Sequence, residues 1–230
     1  MRRWAVVATT LVLLCGCAGG DPSSDTASGE AGAPTATEAV PREPLRVVVA
    51  GDSIAAGYYA SRPSNSFAEL VTTLLGERYD VTSLSAAVPG ARTWRIAREA
   101  RDVMVGEAPI DVAVLEAGAN DVGTTTLSAW RRAYRQLLAA VVATSPDAAI
   151  VCLGPWGPSV ASAPYESVVR RLCADHVYVG LSSAYERPGL RGPVGSATEL
   201  GPRDAFHPND RGHAAITRVV MRALDRLGIA

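Results

Sequence analysis

The sequence predicts an α/β fold in which strands and helices alternate around a parallel sheet. Its 230 residues, 48% of them hydrophobic, are enough for one domain with a substantial core and too few for two large ones. From Leu45 onward, short apolar runs alternate with longer segments of helical period, which is the pattern of βαβ units. Polar motifs follow several of these runs, at the edge of the sheet where such folds place their active-site loops.

The candidate strands are short apolar runs. They cover residues 45–50, 80–85, 110–116, 148–153 and 176–181. Helices are predicted between them, and the first follows Ser66, because Glu69 stands three residues later in the spacing of a capping box. Another helix covers roughly 128–143, and the last begins after Pro208, where apolar residues recur on one face.

The first residues have the composition of an export signal. Two arginines precede an apolar run at 4–14 that is too short to span a bilayer. The stretch 14–17, Leu-Cys-Gly-Cys, resembles the lipobox of bacterial lipoproteins, in which cleavage precedes a cysteine that carries the lipid. We therefore predict a signal peptide at 1–16 and lipidation of Cys17, which would anchor the protein to the outer face of the bacterial cell membrane. Plain secretion is the alternative.

A disordered tether is expected after the cleavage site, at 17–44. Positions 18–44 are rich in Ala, Gly, Pro, Ser, Thr and Glu and hold almost no large apolar side chain. Such a segment buries too little surface to offset the entropy lost on ordering. The folded domain is therefore predicted to cover 45–230.

Charge and cysteine content limit the partners and the compartment. The formal net charge is -1 and basic residues are nowhere concentrated, so we exclude nucleic acid as a partner. After cleavage, only Cys152 and Cys173 would remain besides the lipidated cysteine. In an oxidising compartment this pair is a possible disulfide, and the alternative is two buried thiols. The sequence does not indicate an oligomeric state.

A serine follows the first predicted strand in a turn rich in small residues. The segment reads Gly-Asp-Ser at 51–53. A serine at a strand-to-helix turn is exposed, and its backbone N–H points outward, where it can stabilise an oxyanion. Ser53 is thus a candidate nucleophile, although Gly-Asp-Ser also occurs in ordinary turns.

Two further loops at the same edge of the sheet carry hydrogen-bond donors. Gly90 follows the second strand and can offer a backbone N–H, and Asn120 follows the third strand and offers a side-chain amide. Oxyanion holes are built from such donors. Taken singly, each residue is better explained by local structure, as a turn glycine and an Asx-turn.

A histidine near the C-terminus has an acid at a suitable spacing. Asp204 precedes His207 by three residues, which lets the carboxylate meet the imidazole. The acid would fix the tautomer and stabilise the imidazolium, while the other ring nitrogen takes the proton of Ser53. A lone histidine at a helix start more often caps or packs, but the upstream nucleophile and donors favour a catalytic role.

These motifs, in this order, resemble those of the SGNH (GDSL-like) hydrolase family. The resemblance implies that Ser53 is the nucleophile and that its N–H, Gly90 and Asn120 form the oxyanion hole. It also implies that His207 is the general base and Asp204 its orienting acid.

The resemblance covers about residues 45–227 and extends to fold and chemistry. It implies a three-layer α/β/α sandwich of flavodoxin-like type, with a five-stranded parallel sheet of order 2-1-3-4-5. It implies ester hydrolysis through an acyl-enzyme, without metal or cofactor. Small-molecule, glycan and lipid esters are all open as substrates, and we expect short acyl or O-acetyl groups.

Rival interpretations are weaker. The Gly-x-Ser-x-Gly turn of α/β-hydrolases is broken by Ala55, and the candidate metal ligands lack His-rich or Cys-rich spacing. A noncatalytic glycan- or lipid-binding module of the cell envelope would lack one of the site residues, and all are present. Acyl transfer on the same fold stays open.

Aromatic residues follow the predicted strands. Tyr58, Tyr59 and Trp156 lie on loops at the active edge of the sheet and could line a substrate site. They could also cover the core, which is the role we expect for Trp94.

Overall fold

Five parallel strands form the centre of the structure, a computed structural model that describes residues 41–230. The strands are β1 Glu43–Gly51, β2 Tyr79–Ala87, β3 Val112–Glu116, β4 Ala149–Leu153 and β5 Val177–Val179. The α-helices of this part of the chain are α1 Phe67–Leu75, α2 Thr93–Met104, α3 Leu127–Thr144, α4 Ser159–Leu172, α5 Ser182–Tyr185 and α6 Asp210–Arg226. The predicted signal peptide, the predicted lipidation site Cys17 and most of the predicted tether lie outside the described residues.

The strand order is β2-β1-β3-β4-β5, and every neighbouring pair is parallel. Successive side chains of β1 point to opposite faces of this sheet, so that Val47 and Val49 join one apolar core while Val48 and Ala50 join the other. Helices α2, α3 and α4 cover the face of Val48, and α1 and α6 cover the face of Val47. The predicted three-layer fold and its strand order are confirmed.

The first strand begins earlier than predicted. Glu43 pairs with Tyr79 and Pro44 with Asp80, so the sheet includes two residues that were assigned to the tether. The apolar pattern of the strand does not include them, because both side chains are exposed at the rim of the sheet. The tether therefore cannot extend to 44, and the prediction was wrong by two residues.

Other boundaries differ by a few residues. Strand β3 begins at Val112, one residue after Asp111, whose side chain accepts a hydrogen bond from the N–H of Arg46 at 2.9 Å. Helix α1 has the predicted cap, in which the Ser66 side chain accepts from the N–H of Glu69 at 3.2 Å. Helix α6 begins two residues after Pro208 and is capped by the side chain of Asn209.

A disulfide joins Cys152 on β4 to Cys173 at the end of α4. Both cysteines are buried in the core cluster that lies beneath α2, α3 and α4. The bond links the end of α4 covalently to the sheet.

In residues 41–230 we find no helix with the length and apolar character that crossing a membrane requires.

Candidate active site

Ser53 lies in the turn directly after β1, at the carboxyl edge of the sheet. Its Oγ is 2.8 Å from Nε2 of His207, although 154 residues separate the two in sequence. The turn is held by backbone bonds, including one from the N–H of Tyr58 to the carbonyl of Ser53 at 2.9 Å. Gly51 is required because a Cβ there would lie 2.5 Å from that of Ala55.

His207 is oriented by Asp204. The ring Nδ1 is 2.7 Å from Oδ2 of Asp204, and the backbone N–H groups of Phe206 and His207 donate to Oδ1 at 2.9 and 2.8 Å. Partial burial would raise the pKa of Asp204, but these hydrogen bonds outweigh it and hold the pKa below its usual value. An ionised carboxylate only accepts, so Nδ1 carries the proton and Nε2 is free to accept from the hydroxyl of Ser53.

The backbone donors predicted for an oxyanion are free. Gly90 has a φ of +72°, a conformation that favours glycine, and the space where its Cβ would stand is open. In the part of the chain that the structure describes, neither the N–H of Gly90 nor that of Ser53 donates to a protein acceptor. Both are therefore available to a ligand.

Asn120 bridges the end of β1 and the loop that carries Gly90. Its Nδ2 donates to Oδ2 of Asp52 at 3.3 Å and to the carbonyl of Ala91 at 3.0 Å. The first of these bonds is long for an N–H···O contact, so its hydrogen can be shared between Asp52 and a bound oxyanion. The structure thus places the Asn120 amide between two loops of the predicted site.

A buried network that the sequence analysis missed positions the Asn120 loop. Asp121 accepts from the N–H and the hydroxyl of Thr93 at 2.9 and 2.7 Å, and the indole of Trp130 donates to the same hydroxyl at 2.9 Å. All three residues are buried. The network joins the loop after β3 to the first turn of α2. Its sequence signal was only an acid directly after Asn120.

A second missed network positions the tyrosine loop. Arg203 donates from Nε to the carbonyl of Tyr59 at 2.9 Å and forms an ion pair with Asp210 at 3.1 Å. Asp210 also accepts from the N–H of Ser61 at 2.6 Å. The loop after Ser53 is thereby tied to the start of α6.

The predicted substrate-lining residues divide into two groups. The rings of Tyr58 and Tyr59 are half-buried, with centroids 6.0 and 5.1 Å from that of His207, so they flank the site. Trp156 is fully buried, and its indole donates to the carbonyl of Phe206 at 2.8 Å. The substrate-lining prediction for Trp156 was wrong, because its ring supports the loop of His207 from within. Trp94, expected to cover the core, is 54% exposed on the first turn of α2.

His213 is a buried histidine beneath the tyrosine loop. Its Nε2 is 3.0 Å from the carbonyl of Tyr58, and its Nδ1 accepts from the N–H of Phe67 at 3.3 Å. Burial lowers its pKa from 6.5 to about 4. The neutral ring donates at one nitrogen and accepts at the other, so it joins α6, α1 and the loop after Ser53.

We expect His213 to make stability depend on pH. Between pH 6.5 and about pH 4 the unfolded chain binds a proton at this residue and the folded chain does not. The free energy of unfolding therefore falls as the pH is lowered through this window. At pH 7 the wild type should be more stable than His213→Gln, and that advantage should shrink by up to about 3 kcal/mol toward pH 4.

Urea unfolding of both proteins at several pH values measures this advantage. The comparison with His213→Gln is needed because Asp52 and Glu116, whose pKa values burial raises, act with the opposite sign in an overlapping window. Their contribution is the same in both proteins and cancels in the difference. An advantage that does not vary with pH would contradict the role assigned to the neutral histidine.

The carboxylates of residues 41–230 show no metal-binding arrangement, since no three His, Cys, Asp or Glu side chains of this part of the chain cluster suitably. The chemical groups that the structure brings together at the site are a hydroxyl, an imidazole oriented by a carboxylate, and free N–H donors. A parallel sheet of order 2-1-3-4-5 with such a site is typical of serine hydrolases that act on ester bonds.

The family comparison agrees with this class. The chain matches the GDSL-like lipase/acylhydrolase family over residues 49–215 and belongs to it. The resemblance noted from the sequence motifs is thereby confirmed at the level of the family. No curated protein matches the sequence.

Solved structures with the same fold include several esterases. A family two carbohydrate esterase from Clostridium thermocellum, in complex with cellohexaose, is 18% identical with a TM-score of 0.64 over 83% of this chain and 66% of that one. A two-domain esterase active on acetylated mannans is 20% identical, with a TM-score of 0.61 over 80% and 49%. The protein TesA is 18% identical, with a TM-score of 0.66 over 80% and 99%.

At these identities the likeness shows the fold alone. This chain spans about two thirds of the length of the first esterase and half of the second.

Proposed function

We propose that this protein hydrolyses carboxylic esters through an acyl-enzyme formed on Ser53. The observation that carries the proposal is the continuous hydrogen-bonded series from the Ser53 hydroxyl through His207 to Asp204, with distances of 2.8 and 2.7 Å. Hydrolysis of p-nitrophenyl acetate by the purified protein, with Ser53→Ala as control, tests it.

The reaction begins with attack of the Ser53 oxygen on the ester carbonyl while His207 takes the hydroxyl proton. The resulting oxyanion accepts from the N–H groups of Ser53 and Gly90 and from the amide of Asn120. His207 then gives its proton to the departing alkoxide, which leaves the acyl group on Ser53. Water, deprotonated by His207, attacks this ester, and release of the acid restores the serine.

Short acyl or O-acetyl groups on a glycan are the substrates we propose. Tyr58 and Tyr59 offer aromatic surface beside the histidine, and the exposed Trp94 follows Gly90 by four residues in the chain. Aromatic side chains suit the apolar faces of sugar rings. Two proteins of the same fold are, by their names, a carbohydrate esterase bound to cellohexaose and an esterase active on acetylated mannans.

The cell envelope is the location we propose, with Cys17 as the lipidated N-terminus. The sequence of residues 1–17 supports export, and the disulfide between Cys152 and Cys173 suits an oxidising compartment.

A clickable palmitate analogue should label the wild-type protein in bacterial cells, because lipidation would attach the acyl chain to Cys17. The variant Cys17→Ala should lose the label. Cys15→Ala is the matched control and should keep it, since cleavage before Cys17 removes residue 15. Gel fluorescence of the purified proteins measures the label. An unlabelled wild type would favour plain secretion, and a labelled Cys17→Ala protein would place the lipid on a residue other than Cys17.

A further inference from the structure

Glu116 is a fully buried acid beneath the serine turn that the reaction described above does not use. It is the last residue of β3, and its Oε2 accepts from the N–H of Asp52 at 3.2 Å. The same oxygen lies 2.8 Å from the position that a Cβ on Gly51 would occupy. Only glycine at 51 therefore lets this carboxyl reach the backbone beneath the nucleophile.

Asp52, whose N–H donates to Glu116, contacts two parts of the site through its side chain. Asp52 is also fully buried, its Oδ1 accepts from the N–H of Ile54 at 3.0 Å, and its Oδ2 accepts from the Asn120 amide at 3.3 Å. One contact shapes the turn of Ser53 and the other orients a proposed oxyanion donor. Both contacts require Asp52 to be an acceptor.

Both carboxyl groups are fully buried, and Oε2 of Glu116 is 3.2 Å from the backbone nitrogen of Asp52, so ionising both would place two neighbouring negative charges in the core. Burial raises the pKa of Asp52 to about 6, and burial next to Asp52 raises the pKa of Glu116 well above its usual value. Both shifts favour the neutral form, and the ionisation of Glu116 is opposed by its burial and by the charge of Asp52 together.

The other titratable groups around the pair lie on several elements. Asp121 and His207 act on the pKa of Asp52, and burial together with Glu116 and Tyr178 raises the pKa of Tyr134 on α3. No arginine contributes to the balance at Asp52 or Glu116 in the part of the chain described. A second full negative charge there would have only the imidazole of His207, when protonated, to offset it.

We propose that Glu116 is a positioning residue that, as a neutral acid, donates to the Asp52 carboxylate and keeps Asp52 an acceptor for Ile54 and Asn120. The inference rests on the proposed esterase function for its kinetic consequences. It assigns the acid of β3 a role in catalysis without contact with substrate.

The test compares three variants of the full-length protein on p-nitrophenyl acetate from pH 5 to 9. Glu116→Met keeps the volume and removes the donor, whereas Glu116→Gln keeps a donor and an acceptor. Tyr134→Phe is the matched control, because it removes a neighbouring buried hydroxyl that has no hydrogen-bond partner within residues 41–230.

We expect Glu116→Met to lower kcat at pH 7 about tenfold or more, with a smaller change in KM, because a misplaced oxyanion donor weakens transition-state binding. Without its donor Asp52 takes up a proton at higher pH, so the acid limb of the kcat profile should move upward. Glu116→Gln should recover most of the lost kcat with the acid limb of the wild type, and Tyr134→Phe should match the wild type. Equal losses in the Met and Gln variants, or no loss in either, would overturn the proposal.

Infrared spectroscopy detects the proton on Glu116 directly. The result depends neither on activity nor on whether Glu116→Met folds. At pH 7 the wild type should show the carbonyl band of a protonated carboxylic acid, and Glu116→Gln should lack it. A spectrum in which both proteins share the band, or both lack it, would overturn the proposal. If the wild type shows the expected band but hydrolyses no faster than Ser53→Ala, the esterase function fails while the proton assignment stands.

Discussion

Replacing Ser53 with alanine is expected to lower kcat/KM for p-nitrophenyl acetate by at least about a thousandfold, because the variant has no hydroxyl to form the acyl-enzyme. Ser53 is only 7% exposed and its turn is held by backbone bonds, so alanine should leave the fold and the thermal midpoint unchanged. Stopped-flow assays and thermal unfolding measure both quantities. Ser83→Ala, at an exposed position of β2, is the matched control and should keep full activity.

The same assay examines the substrate and the rival functions. A series of p-nitrophenyl esters of increasing acyl length, with acetylated xylan and mannan, should favour the short acyl groups and release acetate from the glycans. Equal rates for the wild type and Ser53→Ala on every substrate would count against an esterase and favour a binding module. An acyl product that forms only when a sugar acceptor competes with water would indicate a transferase.

Replacing Asp204 with asparagine is expected to lower kcat about a thousandfold to ten-thousandfold while KM changes little. The asparagine oxygen can still accept from the N–H groups of Phe206 and His207, so the turn should persist. Its NH₂ group, however, would face Nδ1 of the imidazole as a donor. The ring would then carry its proton on Nε2 and could not accept from the hydroxyl of Ser53.

The kinetics of Asp204→Asn separate this effect from a general loss of structure. Asp225→Asn, at an exposed position of α6, is the matched control and should behave as the wild type. Since the defect lies in the tautomer, raising the pH to 9 should not restore kcat in Asp204→Asn. A variant with wild-type kcat would mean that the contact at 2.7 Å does not orient the base.

The identity and order of the candidate catalytic groups could be predicted from the sequence because their signals are local. Ser53 stands directly after an apolar run, and the three-residue spacing of Asp204 and His207 matches the hydrogen bond that the structure has. The prediction that Gly90 faces the site rested on its place after the second strand. In the structure, its positive φ and an N–H that donates to no acceptor within residues 41–230 agree with that place. The catalytic roles themselves stay predictions until the variants are measured.

The supporting residues could not be predicted because their signals are not local. Trp156 and Trp94 both follow predicted strands on loops, yet one is fully buried and the other 54% exposed. Glu116 ends an apolar strand and reads as an ordinary charged residue at a boundary. Its burial depends on Gly51 of the neighbouring strand.

By itself, the sequence determined the α/β class, the strand order through the family's motifs, and the residues that carry the proposed chemistry. Periodicity and turn residues are properties of neighbours along the chain, so they can be read without a structure. Tertiary structure alone decided that Ser53 and His207 meet at 2.8 Å across 154 residues, and that Asp52 and Glu116 share a buried site. Burial and the pKa of an acid depend on what other strands and helices place around it, and that arrangement exists only once the sheet has assembled.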